Sequence, residues 1–298
     1  MNTVLSIADV GVRFAGSDGR PAVDGVSLTI ERGEIFGIVG ESGSGKSTLA
    51  NAVMGLLPAS ATVSGSIRLN GNEIAGLGED ALRHMRGADM SMIFQDASAS
   101  LDPVWPVGDQ IAETIRAHSA VSRQEAKARA IALMGEVGIP DAGARYSNVP
   151  HRFSGGMRQR IVIAAALANN PGLLIADEPT TALDVTIQAQ VLQLIDRLRR
   201  RHGTTVLLIT HDLGVVSQVC DRVAVMYGGR LLEVARTADL FARPNHPYTR
   251  ALLAANPAGA PRRSRLPVIP AEWSVESLER SERLRADKAD SIGEAAHD

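Results

Sequence analysis

One cysteine in 298 residues, Cys220, excludes both a disulfide framework and a multi-cysteine metal site. It stands in an apolar helical pattern with Val215, Val216 and Val219, and reads as a buried, inert thiol. Long apolar runs are also missing: the longest, "IVIAAALA" from Ile161 to Ala168, is far short of the roughly 20 residues a membrane span needs. The opening "MNTVLSIADV" lacks the charged and apolar regions of a signal peptide, so the chain is expected in the cytoplasm, reaching a membrane only through a partner. Excess charge is absent too. Thirty-one basic against 33 acidic residues give a formal net charge of -2, which excludes an overall positive field for nucleic acid but leaves a local basic groove open. Lysine is scarce, with Lys46, Lys127 and Lys288 alone among the basic residues, so a lysine inside a motif stands out.

What is present is ample apolar content, 45%, in a length suited to one large domain or two smaller ones. The stretches "VLSIADVGVRF" and "VSLTIERGEIFGIVG" alternate like strands around the turn-rich "AGSDGRPA". A helix pattern runs from Ser47 to near Pro58. Residues 96 to 170 read mostly as helix: Ser122 and Glu125 form a capping box, with Ala130, Leu133, Met134 and Val137 following at helical spacing before Gly138 and Pro140. After Pro171 come the apolar strands "GLLIAD", "TTVLLIT" and "RVAVMY", with helices between them. Strands alternating with helices predict an α/β fold with a mostly parallel sheet. Gly228 and Gly229, between "RVAVMY" and "RLLEVA", predict a hairpin at its edge. From about Gly259 the chain turns rich in Arg, Glu and Ala, and its order is left open; no internal repeat is found.

The stretch "GESGSGKST" comprises Gly40, Glu41, Ser42, Gly43, Ser44, Gly45, Lys46, Ser47 and Thr48, and fits G-x-x-x-x-G-K-[ST] between a strand and a helix. Its glycines let successive N–H groups point inward at phosphates, and the helix start adds positive potential. Lys46 is placed to reach the β and γ phosphates and the Ser47 hydroxyl to ligate magnesium. Average residue usage yields such a pattern by chance in only about one chain in a hundred of this length. Phosphate chemistry also needs a metal anchor and a group acting on water. "GLLIADEP" ends an apolar strand in Asp177, a magnesium anchor, followed by Glu178, placed to act on the nucleophile. Gln95 follows "MSMIF" and His211 follows "VLLIT". At a strand's carboxyl end a Gln amide can contact metal or water, and a His the γ phosphate; taken alone, each is more often an ordinary loop residue. Asp184, in "TALDVTIQ", fits a helix N-cap. The run Arg199 to His202 reads as charge complementing a helix dipole.

Taken in order, "GESGSGKST", Gln95, "SGGMRQR", "LLIADEP", "TALD" and "LLITHD" resemble the nucleotide-binding domain of an ABC transporter over roughly residues 1 to 235. The resemblance implies a P-loop NTPase (RecA-like) fold: a mostly parallel core sheet with antiparallel N-terminal strands and a helical insertion. It divides the chain into an ATP-binding core (1–97 and 165–240), a helical signature subdomain (98–164) and a C-terminal extension (241–298) whose tail can be flexible. It also implies ATP and Mg2+ as ligands, with Ser47, Gln95 and Asp177 at the metal. In that family two domains pair head to tail, so Ser154, Gly155 and Gly156 of "FSGGMRQR" would cap a partner's ATP. A helix start at Met157 suits an anion, although the same residues could form a simple turn before a buried helix. Phe153 departs from the Leu more usual there. Phe14, in "VRF", matches the family's adenine-stacking aromatic and could equally be core. Asp184 joins the implied nucleotide contacts.

A narrower resemblance, "RPNHPYTRALLAANP", looks like the segment after the ATPase domain in the oligopeptide, dipeptide and nickel importer branch. Met157 is similar to one of the two non-identical ATPases such systems use. The cysteine-rich tail that carries an iron–sulfur cluster in many members cannot be built here. The implied function is a peripheral ATPase at the cytoplasmic face of the membrane, powering uptake of short peptides, or of nickel or another small solute. Its implied partners are a second ATPase, identical or not, two permeases and, indirectly, an extracytoplasmic solute-binding protein; nucleic acid is not expected. An exporter ATPase and a soluble non-transport relative remain as alternatives.

Overall fold

A computed structural model describes residues 2–16, 20–96, 99–181 and 183–255. The expected tail from Gly259 lies outside the described residues, as does part of the turn in "AGSDGRPA". In chain order the strands are β1 (Thr3–Phe14), β2 (Val23–Glu31), β3 (Ile35–Val39), β4 (Ala61–Leu69), β5 (Asn72–Glu73), β6 (Met90–Ile93), β7 (Leu173–Asp177), β8 (Thr205–Thr210), β9 (Arg222–Tyr227) and β10 (Arg230–Arg236). The helices are α1 (Lys46–Met54), α2 (Glu79–Met85), α3 (Val107–His118), α4 (Arg123–Glu136), α5 (Ala142–Arg145), α6 (Gly155–Ala166), α7 (Val185–His202), α8 (Leu213–Val219), α9 (Thr237–Ala242) and α10 (Pro247–Ala254).

These form a four-stranded sheet in the order β2-β1-β4-β5 and a six-stranded sheet in the order β10-β9-β3-β8-β7-β6. The first is antiparallel, and the second is parallel from β9 to β6, with β10 antiparallel at its edge. Among β3, β7 and β8 every residue is buried, as a parallel sheet covered on both faces requires. Alternation along these strands feeds two cores. Ile35, Val39, Leu174, Ala176, Val206 and Leu208 face helices α3, α4, α6, α7 and α8, whereas Phe36, Ile38, Leu173, Ile175, Leu207 and Ile209 face α1 and the antiparallel sheet. Each of these side chains larger than alanine contributes about 1.5–3 kcal/mol by burial, so the sheet that carries the site is anchored from both faces.

Local chemistry explains most boundaries. Ser122 caps α4 by accepting from the Glu125 amide at 3.1 Å, and Asp184 caps α7 by accepting from the Ile187 amide at 3.0 Å. The β9–β10 hairpin turns on Gly228 and Gly229, whose φ values of 54° and 86° suit glycine. Strand β4 carries almost no sequence signal because only Ile67 and Leu69 of its nine residues are buried. Helix α6 begins at Gly155, ahead of the expected Met157, because Ser154 accepts from the Met157 amide and caps it. The basic run ending α7 does more than complement a dipole. Arg199 bridges Asp196 and the Gly33 carbonyl, while Arg201 and His202 meet Glu136 of α4 at 3.1 and 2.9 Å. No helix among the described residues is long and apolar enough to cross a membrane.

Candidate functional site

A cleft of about 520 Å³ opens at the carboxyl ends of the parallel strands, where α/β sheets bind ligands. Strand β3 delivers residues 40–45 into it, and α1 begins at Lys46. Gly45 has φ 95°, and a Cβ there would run into the Ala22 carbonyl; at Gly40 it would run into the Met226 carbonyl. Only glycine lets the loop lie this close to its neighbours. Lys46, 5% exposed, curls back to donate to the Gly40 and Glu41 carbonyls at 2.9 and 2.7 Å and to Ser44 Oγ at 3.2 Å. Burial lowers its pKa, partly offset by the negative charges of Glu178, Asp177 and Glu41. Ser42, Gly43, Gly45, Ser47 and Thr48 face the cleft with it.

The next three strands in the sheet supply the acids and their partners. Asp177 ends β7 and is 6% exposed, with Oδ1 buried and lacking a hydrogen-bond partner. Burial raises its pKa, against the opposing hydrogen bond from Ser47. A half-satisfied buried carboxylate beside a serine hydroxyl fits a divalent cation, so Asp177 and Ser47 suit the metal expected between them. Among the described residues no group of three or more His, Cys, Asp or Glu could hold a metal by itself, and a small hard cation here would draw further oxygens from phosphates.

Glu178 sits at φ 47°, an uncommon region for a non-glycine residue that costs on the order of 1–3 kcal/mol. Its amide donates to the Ile209 carbonyl at 2.9 Å, which holds that turn against β8. Oε2 accepts from Gln95 Nε2 at 3.0 Å and from Thr181 Oγ1 at 2.8 Å, while Oε1 lies 3.1 Å from His211 Nδ1. Burial alone would raise this carboxyl. The hydrogen bonds from His211 and Thr181 and the charges of His211 and Lys46 outweigh it and hold the pKa below the ordinary value. The arrangement presents one oriented, ionised carboxylate facing the phosphate loop, which is what activating a water beside a bound phosphate requires.

The structure therefore brings Lys46, Ser47, Gln95, Glu178 and His211 to one cleft, with Asp177 buried beside Ser47 and Lys46 rather than lining it. Others stand apart. Phe14 is half-buried at the end of β1, packed against the core that includes α1, and does not line the cleft. Ser154 and Gly155 are exposed at the start of α6, again away from it; a Cβ on Gly156 would come within 2.7 Å of Ile187 Cγ2. Asp184 is engaged as a helix cap. The sequence reading missed Thr181, three residues after Glu178 in "EPTT", and Ala22, which lines the cleft from the bend just before β2. Small polar residues after an acid pair were the available signal for Thr181; Ala22 offered none.

The family model described as ABC transporter matches residues 23–181, and that described as oligopeptide/dipeptide transporter, C-terminal region, matches residues 232–281. The chain is 49% identical over 260 residues to a dipeptide transport ATP-binding protein of Bacillus subtilis, covering 86% of this chain and 78% of that one. It is 48% identical over 257 residues to an oligopeptide transport ATP-binding protein of Salmonella typhimurium, covering 86% and 77%. Among solved structures, a dimeric ATP-binding cassette in a post-hydrolysis state with ADP and phosphate bound matches at 28% identity and a TM-score of 0.69, covering 78% of this chain and 98% of that one.

Proposed function

The chain belongs to the ABC transporter family, and from that premise we propose that it is the ATP-hydrolysing subunit of an importer for short peptides. The observation that carries the catalytic half is Glu178, oriented by Gln95 and held ionised by Thr181, His211 and the charge of Lys46 across the cleft. The transport half is supported by the importer-type C-terminal match and by relatives named for dipeptide and oligopeptide transport.

In this reading ATP lies along residues 40–48, and Lys46 exchanges the Gly40 and Glu41 carbonyls for the β and γ phosphates. Phe14 stacks on adenine. Ser47, Gln95 and Asp177 hold Mg2+, which when bound neutralises charge on the phosphates. The Glu178 carboxylate takes a proton from water as the water oxygen bonds to the γ phosphorus and the bond to ADP breaks, while His211 steadies the γ phosphate. Ser154 and Gly155, both exposed, and the half-buried Gly156, all outside this chain's own cleft, cap the ATP held by a second ATPase subunit. Asp184 lies at the same junction. A pair of permeases provides the membrane path, with the ATPase on its cytoplasmic face and a solute-binding protein delivering cargo outside.

The test is to capture a tagged Glu178→Gln chain from gently solubilised native membranes with ATP and magnesium, then identify its companions by mass spectrometry. Two permeases and an ATPase subunit are expected. Recovery from the soluble fraction with ribosomal or nucleic-acid proteins would discard the transport reading while leaving ATP hydrolysis in place.

A further inference from the structure

The Gly40–Glu41 peptide group, at the start of the phosphate loop, is approached from both ends. Its carbonyl accepts from Lys46 Nζ at 2.9 Å. Its N–H lies toward the hydroxyl of Tyr248, a side chain 0% exposed that reaches the loop from α10. That hydroxyl is buried and falls short of a well-aligned hydrogen bond, so it stands next to the loop with its bonding capacity unspent. The Glu41 charge accordingly raises the pKa of Tyr248, after burial, and also that of Tyr227.

Tyr248 is held there by its own segment. Glu233 on β10 accepts from the Asn245 and His246 amides, both at 2.9 Å, which pins the chain entering α10. His246 caps the helix by accepting from the Tyr248 amide at 3.1 Å, and Pro247 occupies its first turn. The Tyr248 ring packs on Tyr227 with centroids 4.5 Å apart. Tyr227 ends β9, just before Gly229, whose N–H donates to the Ser44 carbonyl at 3.1 Å. The C-terminal segment thus touches the phosphate loop twice, through Tyr248 itself and through the hairpin it braces.

We propose that Tyr248 is a positioning residue for the phosphate loop, its hydroxyl holding the Gly40–Glu41 peptide when Lys46 leaves that carbonyl for nucleotide, so that the segment Asn245–Thr249 sets ATP affinity. This rests on the ATP-site reading above. A residue of the C-terminal extension then belongs to the nucleotide site, and a change in how the extension is held alters ATP binding.

Tyr248→Phe keeps the ring and removes the hydroxyl. In the full-length chain it is expected to raise the KM for ATP about three- to tenfold, the worth of one hydrogen bond, with a much smaller change in kcat. The nucleotide-free melting temperature should stay at the wild-type value. Glu233→Gln, which loosens the same segment from outside the cleft, should raise KM in the same direction and serves alone if Tyr248→Phe does not fold. An unchanged KM in both variants, each assayed well below its own melting transition, or a KM that rises in Tyr248→Phe only together with a fall in its nucleotide-free melting temperature, overturns the inference. A wild-type chain that fails to bind MgATP by calorimetry overturns the site reading and the inference together, whereas wild-type binding matched by Tyr248→Phe overturns the inference alone.

Discussion

Gln95 Nε2 donates to Glu178 Oε2 at 3.0 Å, joining residues 83 positions apart at the ends of two adjacent parallel strands. Gln95 follows β6, Glu178 follows β7 and His211 follows β8, so three neighbouring strands running the same way bring two side chains, Gln95 and His211, to the carboxylate that the middle strand carries. The phosphate loop arrives from β3, the next strand over. Parallel pairing makes this convergence automatic, because every strand ends on the same edge.

Glu178→Gln retains the shape of the side chain and loses its negative charge. ATP hydrolysis is expected to drop by about 10²–10⁴-fold, the usual worth of a positioned general base, while MgATP binding persists and closed dimers accumulate. Single-turnover hydrolysis alongside size-exclusion chromatography in ATP checks both halves. Near-normal turnover would remove Glu178 from its assigned role.

Gly45→Ala places a Cβ against the Ala22 carbonyl at a residue with φ 95°. Left-handed backbone alone costs an ordinary residue about 1–2 kcal/mol, before any clash. The variant should melt several degrees lower and lose nucleotide binding, both measurable by thermal unfolding with and without MgADP. A wild-type melting curve would show that the loop tolerates the side chain.

Burial pushes the Glu233 carboxyl up, but the nearby Thr249 hydroxyl and the amides of Asn245 and His246 more than offset this and hold it below 4.5. The two amides are well aligned, whereas the Thr249 hydroxyl makes no bond of ordinary geometry. A folded-state pKa below the unfolded one adds stability that is present above about pH 4.5 and lost as pH falls through the lowered value. Glu233→Gln should therefore melt below wild type at neutral pH and converge with it as the acid limb is crossed. A constant gap at all pH values would mean the carboxyl contributes no titrating term.

Cys220 caps the carboxyl end of α8, buried, and burial together with the Asp221 charge pushes its thiol up to about 12. The thiol stays protonated at neutral pH, so iodoacetamide should label it slowly in the native chain and rapidly in denaturant. Equal rates in the two states would contradict its burial.

The phosphate loop, the acid pair, the α/β class and the edge hairpin were all legible in the sequence, because each rests on residues close in the chain. A G-x-x-x-x-G-K-S run needs only its neighbours to form a nest of amides, and apolar strands such as "GLLIAD" declare burial on both faces. Asp184 and Ser122 announced their helix caps for the same reason.

Tertiary structure decided what depends on distant partners. Periodicity does not encode the strand order β3-β8-β7-β6, so the grip of Gln95, Thr181 and His211 on Glu178 had to be seen, as did the ties from Arg201 and His202 to Glu136. Tyr248 is the clearest case: in sequence it is one aromatic in "NHPYT", 207 positions from Glu41 by the numbering, and only the packing of α10 under the sheet's edge sets its hydroxyl against the phosphate loop. The sequence by itself determined which phosphate-binding and acidic groups exist. The fold determined which of them meet, because hydrogen-bond geometry is fixed by strand order and packing rather than by spacing along the chain.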